Sequence, residues 1–237
     1  NCGIYCNSGT EVGVASTKSF TSQVVCLSLA AIWFAQKQNV NKSLRTSMIT
    51  SLQNLSNDYS KTLALTETHV KELAQTAVLK GAKSMFILGK GTDMFIADES
   101  ALKIKEISYI HTESYSASSL KHGPFALLDP NFPVIIINSQ DEYNSKITSC
   151  YEEIKARNSP LIIITNNILN IPAIRRSNNL KKSTTSTPIG SITIPTNKHY
   201  SSLLALIPLQ LLSYYLSINK NINPDTPKNL AKVVTVE

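Results

Sequence analysis

Three charged residues near the middle of the chain stand at a spacing that could move a proton. Glu99, Lys103 and Glu106 are four and three residues apart, so they would share one face of a helix. A carboxylate beside a lysine can act as a general base that moves a proton between adjacent carbons, when partial burial brings the pKa of the carboxyl group toward neutrality. The same spacing is typical of an exposed ladder of ion pairs, each contributing about 0.3 kcal/mol. Spacing alone favours the exposed ladder.

Two histidines and one lysine are further candidates for chemistry. His122 precedes Gly-Pro, which fixes a turn, so its imidazole could reach a ligand. His111 follows Tyr109 and Ile110 and is interpreted as a hydrogen-bonded core histidine. Lys232 lies in the tail NLAKVVTVE, where nothing in the spacing separates it from a surface lysine. The residues by themselves leave a catalytic and a structural role open for His122 and Lys232.

A helix is predicted to follow the first loop of the chain. Apolar residues at three-to-four spacing predict that it begins at Lys18. Thr17, or Ser16 before it, is placed to cap this helix. The loop of residues 9–16 would then face a positive helix end and could hold an anion.

The rest of the chain is predicted to pass from helices to alternating strands and helices. Helical stretches are predicted over residues 44–55 and 63–78, with a break at the polar residues 56–58. Four apolar strands follow, namely MFILG from Met85, PVIIIN from Pro133, LIIIT from Leu161 and the weaker SITIP from Ser191. The helices between and after them are predicted over residues 94–107, 142–157 and 201–216. This alternation predicts an α/β fold, a doubly wound parallel sheet covered on both faces, and leaves residues 108–128 as an ordered loop.

Two loops stand out in this scheme. The loop Gly89-Lys90-Gly91-Thr92 follows the first strand, where ligands bind in such sheets, and is a candidate site. It is not a P-loop for ATP, because Lys90 is followed by Gly91 rather than by Ser or Thr. Residues 166–198 are polar and include Pro172 and Pro188, which predicts a long loop before the last strand.

Composition excludes several classes of function. The net charge of +7 comes from 23 basic and 16 acidic residues, and the basic pairs at 175–176 and 181–182 are predicted to lie in a solvated loop, so nucleic acid is not an expected partner. There is no run of eighteen apolar residues and no secretory signal, so a cytoplasmic chain without a membrane span is predicted. The four cysteines include no CxxC pair, which favours reduced thiols. No metal and no cofactor are predicted.

Three long blocks resemble the isomerase half of the glucosamine-6-phosphate synthase family, which consists of two sugar-isomerase (SIS) domains. The blocks are GTEVGVASTKSFTSQ from Gly9, ESALKIKEISYIHTESYSASSLKHGPFALLD from Glu99 and IPLQLLSYYLSINKNINPDTPKNLAKVVTVE from Ile207. The similarity runs in order over almost the whole chain. It implies an α/β/α SIS domain over residues 80–220, preceded by part of a first SIS domain over 1–79 and followed by a tail over 221–237 that closes the active site. The implied activity is a fructose-6-phosphate aminotransferase and isomerase of amino-sugar synthesis.

The resemblance also implies roles for individual residues. Lys232 matches the lysine that forms a Schiff base with the open-chain ketose phosphate, and Glu106 matches the base that moves a proton between two sugar carbons. Lys103 matches the neighbour of that base. His122 matches a histidine that opens the sugar ring and comes from the neighbouring subunit of a dimer. The residues implied to line or flank the sugar pocket are Glu11, Val14, Ser16, Glu99 and Ala231.

The chain also departs from the family pattern. The resemblance covers neither the glutaminase domain nor the first half of the first SIS domain, whose Ser/Thr-rich loops hold the substrate phosphate. Ser100 stands where the family usually has Gly, residues 118–119 where it has Gly-Glu, and Lys228 where it has Arg, which loses a bidentate donor. We therefore expect a chain that begins in mid-domain and has little activity alone. The alternative is a non-catalytic sugar-phosphate-binding SIS protein or remnant paralogue. The expected assembly is a homodimer or a complex with a complete family enzyme.

Overall fold

The structure is a computed structural model that describes residues 3–167 and 190–232. Some sequence predictions lie outside the described residues. They are those for the basic pairs at 175–176 and 181–182, for most of the polar loop before the last strand, and for the tail residues 233–237.

Helices and strands alternate along the described residues after two long helices. The helices are α1 (Lys18–Lys37), α2 (Lys42–Ala74), α3 (Ala77–Gly81), α4 (Thr92–Ser108), α5 (Asn144–Lys155) and α6 (Ser201–Asn219). The strands are β1 (Ser84–Gly89), β2 (His111–Ser116), β3 (Val134–Asn138), β4 (Leu161–Thr165) and β5 (Gly190–Thr193). Short 3-10 turns occupy Leu120–His122, Pro124–Leu127 and Asp141–Tyr143.

The strands form one parallel sheet in the order β2-β1-β3-β4-β5. Phe86 pairs with Val134, and Ile135 pairs with Ile162, so apolar side chains stack across the centre of the sheet. The chain moves from β1 to β2 on one side and then returns to β3 on the other, which makes β1 the switch point of the topology. The four predicted strands are therefore confirmed.

The strand β2 contradicts the prediction of a loop over residues 108–128. All of His111–Ser116 pairs with β1, in a register that runs from Ser84 opposite His111 to Gly89 opposite Ser116. β2 lies at the edge of the sheet, and of its six residues only Thr112 is buried. Because most side chains of this edge strand are accessible to solvent, its sequence lacks the apolar pattern from which a strand is predicted.

Helices cover both faces of the sheet, as predicted. Met85 and Ile87 of β1 point into a core shared with α2, α4 and α6. Phe86 and Leu88 point the other way, into a core shared with α5. This alternation follows from the two-residue period of a strand, and it explains why central strands are apolar on both faces. The fold is the predicted doubly wound α/β sandwich.

The helix α2 runs without a break through residues 56–58, where the sequence predicts one. Its 33 residues include Asp58, whose carboxylate accepts a hydrogen bond of 2.8 Å from the side-chain amide of Asn197. The same amide donates to the backbone oxygen of Ser51 at 2.9 Å. Tyr59, one residue further on, shares a hydrogen bond of 3.2 Å with Thr21 of α1. Partners distant in the sequence satisfy these polar groups and keep the helix continuous.

Two of the described helices are long and apolar enough to span a membrane. In α6, 72% of the apolar window is buried inside the fold, as expected for the central helix of a domain. In α1, only 6% is buried, and the exposed side chains include Leu27, Trp33 and Phe34. The absence of a membrane span therefore stays a prediction, and α1 carries an apolar surface that nothing in the described chain covers.

Candidate active site

The charged residues of α4 form a compact, largely buried cluster. The Lys103 ammonium lies 2.7 Å from a carboxylate oxygen of Glu106 and 3.6 Å from one of Glu99. The Lys103 side chain is only 5% exposed, so the exposed ladder that spacing alone favours is wrong. Burial raises the pKa of Glu99, despite the opposing charge of Lys103, and the nearby Glu106 raises it further. The cluster can therefore hold or accept a proton.

The backbone around β1 determines where this cluster lies. Gly89 ends β1 in such close contact with α4 that a Cβ atom on it would lie 2.4 Å from the backbone of Asp93. Gly91 has a φ of 61°, which a side chain would disfavour. These two glycines let α4 start directly above the sheet. Its buried side then packs against α6, which is why a lysine in the middle of α4 is shielded from water.

A second cluster is centred on Glu11, in the loop before α1. Its carboxylate accepts hydrogen bonds from the backbone N–H of Thr17 at 2.6 Å and from the hydroxyls of Ser19 at 2.5 Å and Ser16 at 3.2 Å. The helix start is therefore capped by Glu11, and the side chains of Thr17 and Ser16 do not cap it as predicted. The anion at this helix end belongs to the chain itself.

Strong hydrogen bonding sets the charge of Glu11. Desolvation by itself would raise the pKa of the carboxyl group, but the donors from Ser19 and Thr17, the charge of Lys232 and the Ser16 hydroxyl together lower it to about 2. Glu11 is therefore a carboxylate at any physiological pH.

Lys232 joins this cluster from the end of the described chain. Its ammonium lies 2.9 Å from the backbone oxygen of Gly13, 3.5 Å from that of Val14 and 3.4 Å from the Glu11 carboxylate. The loop is tied to the same tail a second time, because the Val14 N–H donates to the backbone oxygen of Asp225 at 3.1 Å. Ala231, next to Lys232, is exposed. The Lys232 amine, 221 residues from Glu11 along the chain, is thus held in an ion pair with its carboxylate.

One cavity connects the two clusters. It has a volume of about 450 Å³ and is bounded by the Glu11 loop, α4, α6 and the segment after α6. Its lining includes Glu11, Gly13, Lys103, Gln210, Tyr214 and Asp225. A cavity with a carboxylate, an amine and hydroxyl groups at its wall is suited to a polar ligand with several hydroxyl groups.

Neither histidine reaches this cavity. His122 is exposed in the 3-10 turn after β2, where its backbone N–H donates to the oxygen of Ser119, and it is absent from the cavity lining. His111 lies on β2 with a side chain that is 64% exposed, 3.6 Å from Glu113. Its interpretation as a core histidine is therefore wrong, because the edge strand turns it to the surface.

The GKGT loop at the carboxyl end of β1 borders a different cavity. That cavity, also of about 450 Å³, is lined by Thr92, Ser139, Ser202 and other polar residues. Much of its polar surface is satisfied internally, since the buried Asp93 accepts hydrogen bonds from the Ser139 N–H at 2.8 Å and the Ser139 hydroxyl at 2.5 Å. The Asp93 carboxylate accepts the hydrogen bond from the Ser139 N–H, so this backbone donor is not free to bind an anionic ligand. The structure therefore separates the GKGT loop from the Lys103 cavity.

The structure adds residues that the sequence analysis does not single out. Ser19 binds Glu11, and Asp225 supports Val14; both lie in blocks that carry the family resemblance, but no spacing singles them out. Gln210 does carry a signal, because it is the polar residue inside the apolar run IPLQLL. Its side-chain nitrogen is buried and has no hydrogen-bond partner among the described residues. A polar side chain in such a position indicates a role beyond packing.

Comparisons with known proteins identify the family of the fold. The family profile described as SIS domain matches residues 78–220. The glutamine–fructose-6-phosphate aminotransferase (isomerizing) of Saccharomyces cerevisiae is 39% identical over 237 residues, which are 100% of this chain and 32% of that protein. The enzyme of the same name from Encephalitozoon cuniculi is 38% identical over 238 residues, again covering 100% of this chain and 32% of that protein. The chain thus spans about a third of the length of the curated relatives it matches.

Solved structures give the same result. The C-terminal domain of glucosamine-fructose-6-phosphate aminotransferase from Francisella tularensis superposes with a TM-score of 0.79 at 32% identity, covering 93% of this chain and 59% of that chain. Glucosamine-6-phosphate deaminase from Thermotoga maritima superposes with a TM-score of 0.61 at 18% identity, covering 95% of this chain and 59% of that chain. The second likeness concerns the fold alone.

Proposed function

Because this chain belongs to the SIS domain family, we propose that it is the isomerase portion of a glutamine–fructose-6-phosphate aminotransferase and acts on fructose 6-phosphate or a related sugar phosphate. The observation that carries the proposal is the single cavity that joins Lys103 of the buried α4 cluster to Glu11, the ion-pair partner of Lys232. The chain would serve amino-sugar synthesis in the cytoplasm.

Lys232 is proposed as the nucleophile. Its amine attacks the C2 carbonyl of the open-chain ketose phosphate, and loss of water leaves a protonated Schiff base. The amine has to lose its proton before it attacks. The Glu11 carboxylate 3.4 Å away favours the charged ammonium, so the proton leaves to solvent at the exposed side of Lys232. The backbone oxygens of Gly13 and Val14 hold the amine in place for this step.

Glu106 is proposed as the base that moves the proton between C1 and C2. The iminium group acidifies the C1 proton, so a carboxylate beside the substrate can remove it and return it to C2. Lys103, 2.7 Å from Glu106, keeps this base oriented. Glu99 lies on the other side of Lys103, and its raised pKa suits a proton store for the same cluster. Val14, Ser16 and Ala231 are proposed to flank the sugar.

Assembly is proposed to complete the site. His122 is the candidate for opening the sugar ring, and its exposed position outside the cavity fits a residue that serves the neighbouring subunit of a homodimer. The apolar surface of α1, with Leu27, Trp33 and Phe34 exposed, fits association with another polypeptide. A complete family enzyme is one such partner.

The second candidate function is sugar-phosphate binding without catalysis, as in a regulatory or remnant SIS protein. The distance between His122 and the cavity favours it, because a chain that stays monomeric would bind an open-chain sugar but could not open a ring. The two candidates differ in one measurable product, the Schiff base on Lys232.

The test is to incubate the chain with fructose 6-phosphate and borohydride and to map the reduced sugar adduct by mass spectrometry. We expect the adduct on Lys232. Lys232→Arg should abolish it, whereas Lys228→Arg, a matched change in the same tail, should leave it intact. In D2O, the wild-type chain should incorporate deuterium into the sugar, and Glu106→Gln should keep the adduct but stop the incorporation.

Three other outcomes are informative. Binding of fructose 6-phosphate without an adduct in a folded chain would favour the non-catalytic candidate. An adduct spread over several surface lysines would contradict the assignment of Lys232. If neither the sugar phosphate nor a full-length relative binds the chain, both candidates fail.

A further inference from the structure

Two cysteines meet where the N-terminal segment crosses α1. The Cys26 sulfur lies 4.0 Å from the backbone oxygen of Tyr5, the residue before Cys6. Partial desolvation and the neighbouring Cys6 side chain raise the pKa of the Cys26 thiol. Both residues are free cysteines and partly exposed. A loop cysteine beside a helix cysteine can form a disulfide where their Cβ atoms can approach each other.

The third described cysteine provides a contrast. Cys150 is buried under the sheet, and burial raises the pKa of its thiol to about 12, so it does not react with solvent oxidants in the folded chain. Cys6 and Cys26 differ from it in being accessible and paired. No role in the cavity chemistry requires either of them, since neither lines it.

We propose that Cys6 and Cys26 are a redox-sensitive pair that forms a disulfide and locks the loop carrying Glu11 onto α1. The oxidant is a small disulfide such as glutathione disulfide. The pair brackets residues 9–19, which include Glu11 and its donors Ser16, Thr17 and Ser19. The lock therefore acts on the segment that holds Lys232 in place.

The chemistry balances as two thiol–disulfide exchanges. The Cys6 thiolate attacks one sulfur of glutathione disulfide, which forms a mixed disulfide and releases one glutathione thiolate. The Cys26 thiolate then attacks the sulfur of Cys6, and the second glutathione leaves. Two electrons pass from the cysteine pair to glutathione disulfide, and the two thiol protons end on two glutathione molecules.

The Cys6–Cys26 disulfide would close a covalent ring that includes most of the N-terminal loop, a segment with few stabilising contacts. Residues 3–17 contain no helix or strand, and their described attachments are mainly polar contacts of Glu11, Lys18 and Lys232. Closing a ring of about twenty residues removes conformations from the open loop and so stabilises its docked state. Oxidation would order the cavity wall, and reduction would release it.

The test starts from the full chain, oxidised with an excess of glutathione disulfide, alkylated and mapped without reduction. We expect a cross-linked Cys6–Cys26 peptide lacking two hydrogens. Cys2→Ser should leave this cross-link intact, which is needed because Cys2 lies outside the described residues. The matched variants Cys6→Ser and Cys26→Ser should lack the cross-link and carry glutathione on the remaining cysteine. Cys150 should stay unmodified, which reports that the chain is folded.

A second measurement tests the consequence for the loop. Hydrogen exchange of the peptide that contains the Thr17 amide should slow by at least about 10-fold on oxidation of the wild-type chain, and should not change in Cys26→Ser. The cross-link rate should also rise with pH, because partial desolvation and the neighbouring Cys6 raise the pKa of Cys26. Stable glutathione adducts on both cysteines without a cross-link, a cross-link through Cys2, no reaction at all, or a cross-link that leaves exchange unchanged would each overturn the proposal.

Discussion

Replacing Glu11 by glutamine tests whether one carboxylate holds the N-terminal loop in place. The hydrogen bonds and the ion pair of Glu11 lower its pKa from 4.5 to about 2, which corresponds to at most about 3 kcal/mol in favour of the docked, charged state. Solvent screening at the open side of the cavity and the hydrogen bonds that glutamine retains reduce the expected loss to about 2 kcal/mol. That loss equals a factor of about 30 in the opening equilibrium of the loop.

The assay is hydrogen exchange of the Thr17 amide, which donates to Glu11 at 2.6 Å, corrected for the intrinsic rate at each pH. The pKa of Glu11 is lowered on folding, so its contribution is fully present above pH 4.5 and is lost as the pH falls toward 2. Glu11→Gln should therefore exchange about 30-fold faster than the wild type at pH 7, and the difference should shrink below pH 4.5.

The matched control is Glu72→Gln, which removes an exposed carboxylate from α2. It should leave the exchange of Thr17 unchanged at every pH. If Glu11→Gln behaves like this control at pH 7, or if its effect persists undiminished near pH 2.5, the carboxylate is not what docks the loop.

Three further changes follow from the packing of the SIS domain, each measured as a free energy of unfolding in urea. Lys103→Met should cost about 3 kcal/mol at pH 7, because it leaves two carboxylates buried without their cation, and the loss should be smaller at pH 4; an equal loss at both would contradict this. Gln210→Met should stabilise the chain by about 1 kcal/mol, since it removes a buried nitrogen without a partner, and destabilisation would mean that the amide is satisfied. Gly89→Ala should cost about 3 kcal/mol or more, because its Cβ would lie 2.4 Å from the backbone of Asp93, whereas Gly81→Ala meets no atom within 4 Å and should be nearly neutral.

The parts of the fold that the sequence predicts are those governed by local pattern. The strands from Met85, Pro133 and Leu161 are apolar on both faces because the sheet is covered on both sides, and the pattern survives in each short run. The helices at Lys18 and Ser201 begin where the apolar spacing predicts. These features need no knowledge of distant contacts.

The parts that the sequence does not predict depend on partners far along the chain. The α2 helix continues past Asp58 because Asn197, 139 residues later, satisfies the carboxylate. β2 forms at the edge because β1 supplies its ladder, although its own residues are polar. The cap of α1 comes from Glu11 rather than from its neighbours because the loop folds back on the helix start.

The candidate site divides in the same way. Residue types and spacing single out Glu99, Lys103 and Glu106 on α4. Their burial depends on packing against α6, which the spacing alone does not predict. The family resemblance assigns both Lys232 and Glu11 to the site, and the structure adds their ion pair at 3.4 Å, because no local signal distinguishes that lysine. The role of each of these residues in catalysis stays a prediction.

The unbroken α2 helix makes the first part of the chain mechanically stiff. A helix of 33 residues is a rod about 50 Å long, and this rod contacts α1 through Tyr59 and the sheet side of the domain through Asn197. A rod without a hinge transmits displacement instead of absorbing it. Helix α1 and the sheet side of the domain therefore share one rigid frame, so movement at the cavity opening falls to the loop before α1 and not to a bend in α2.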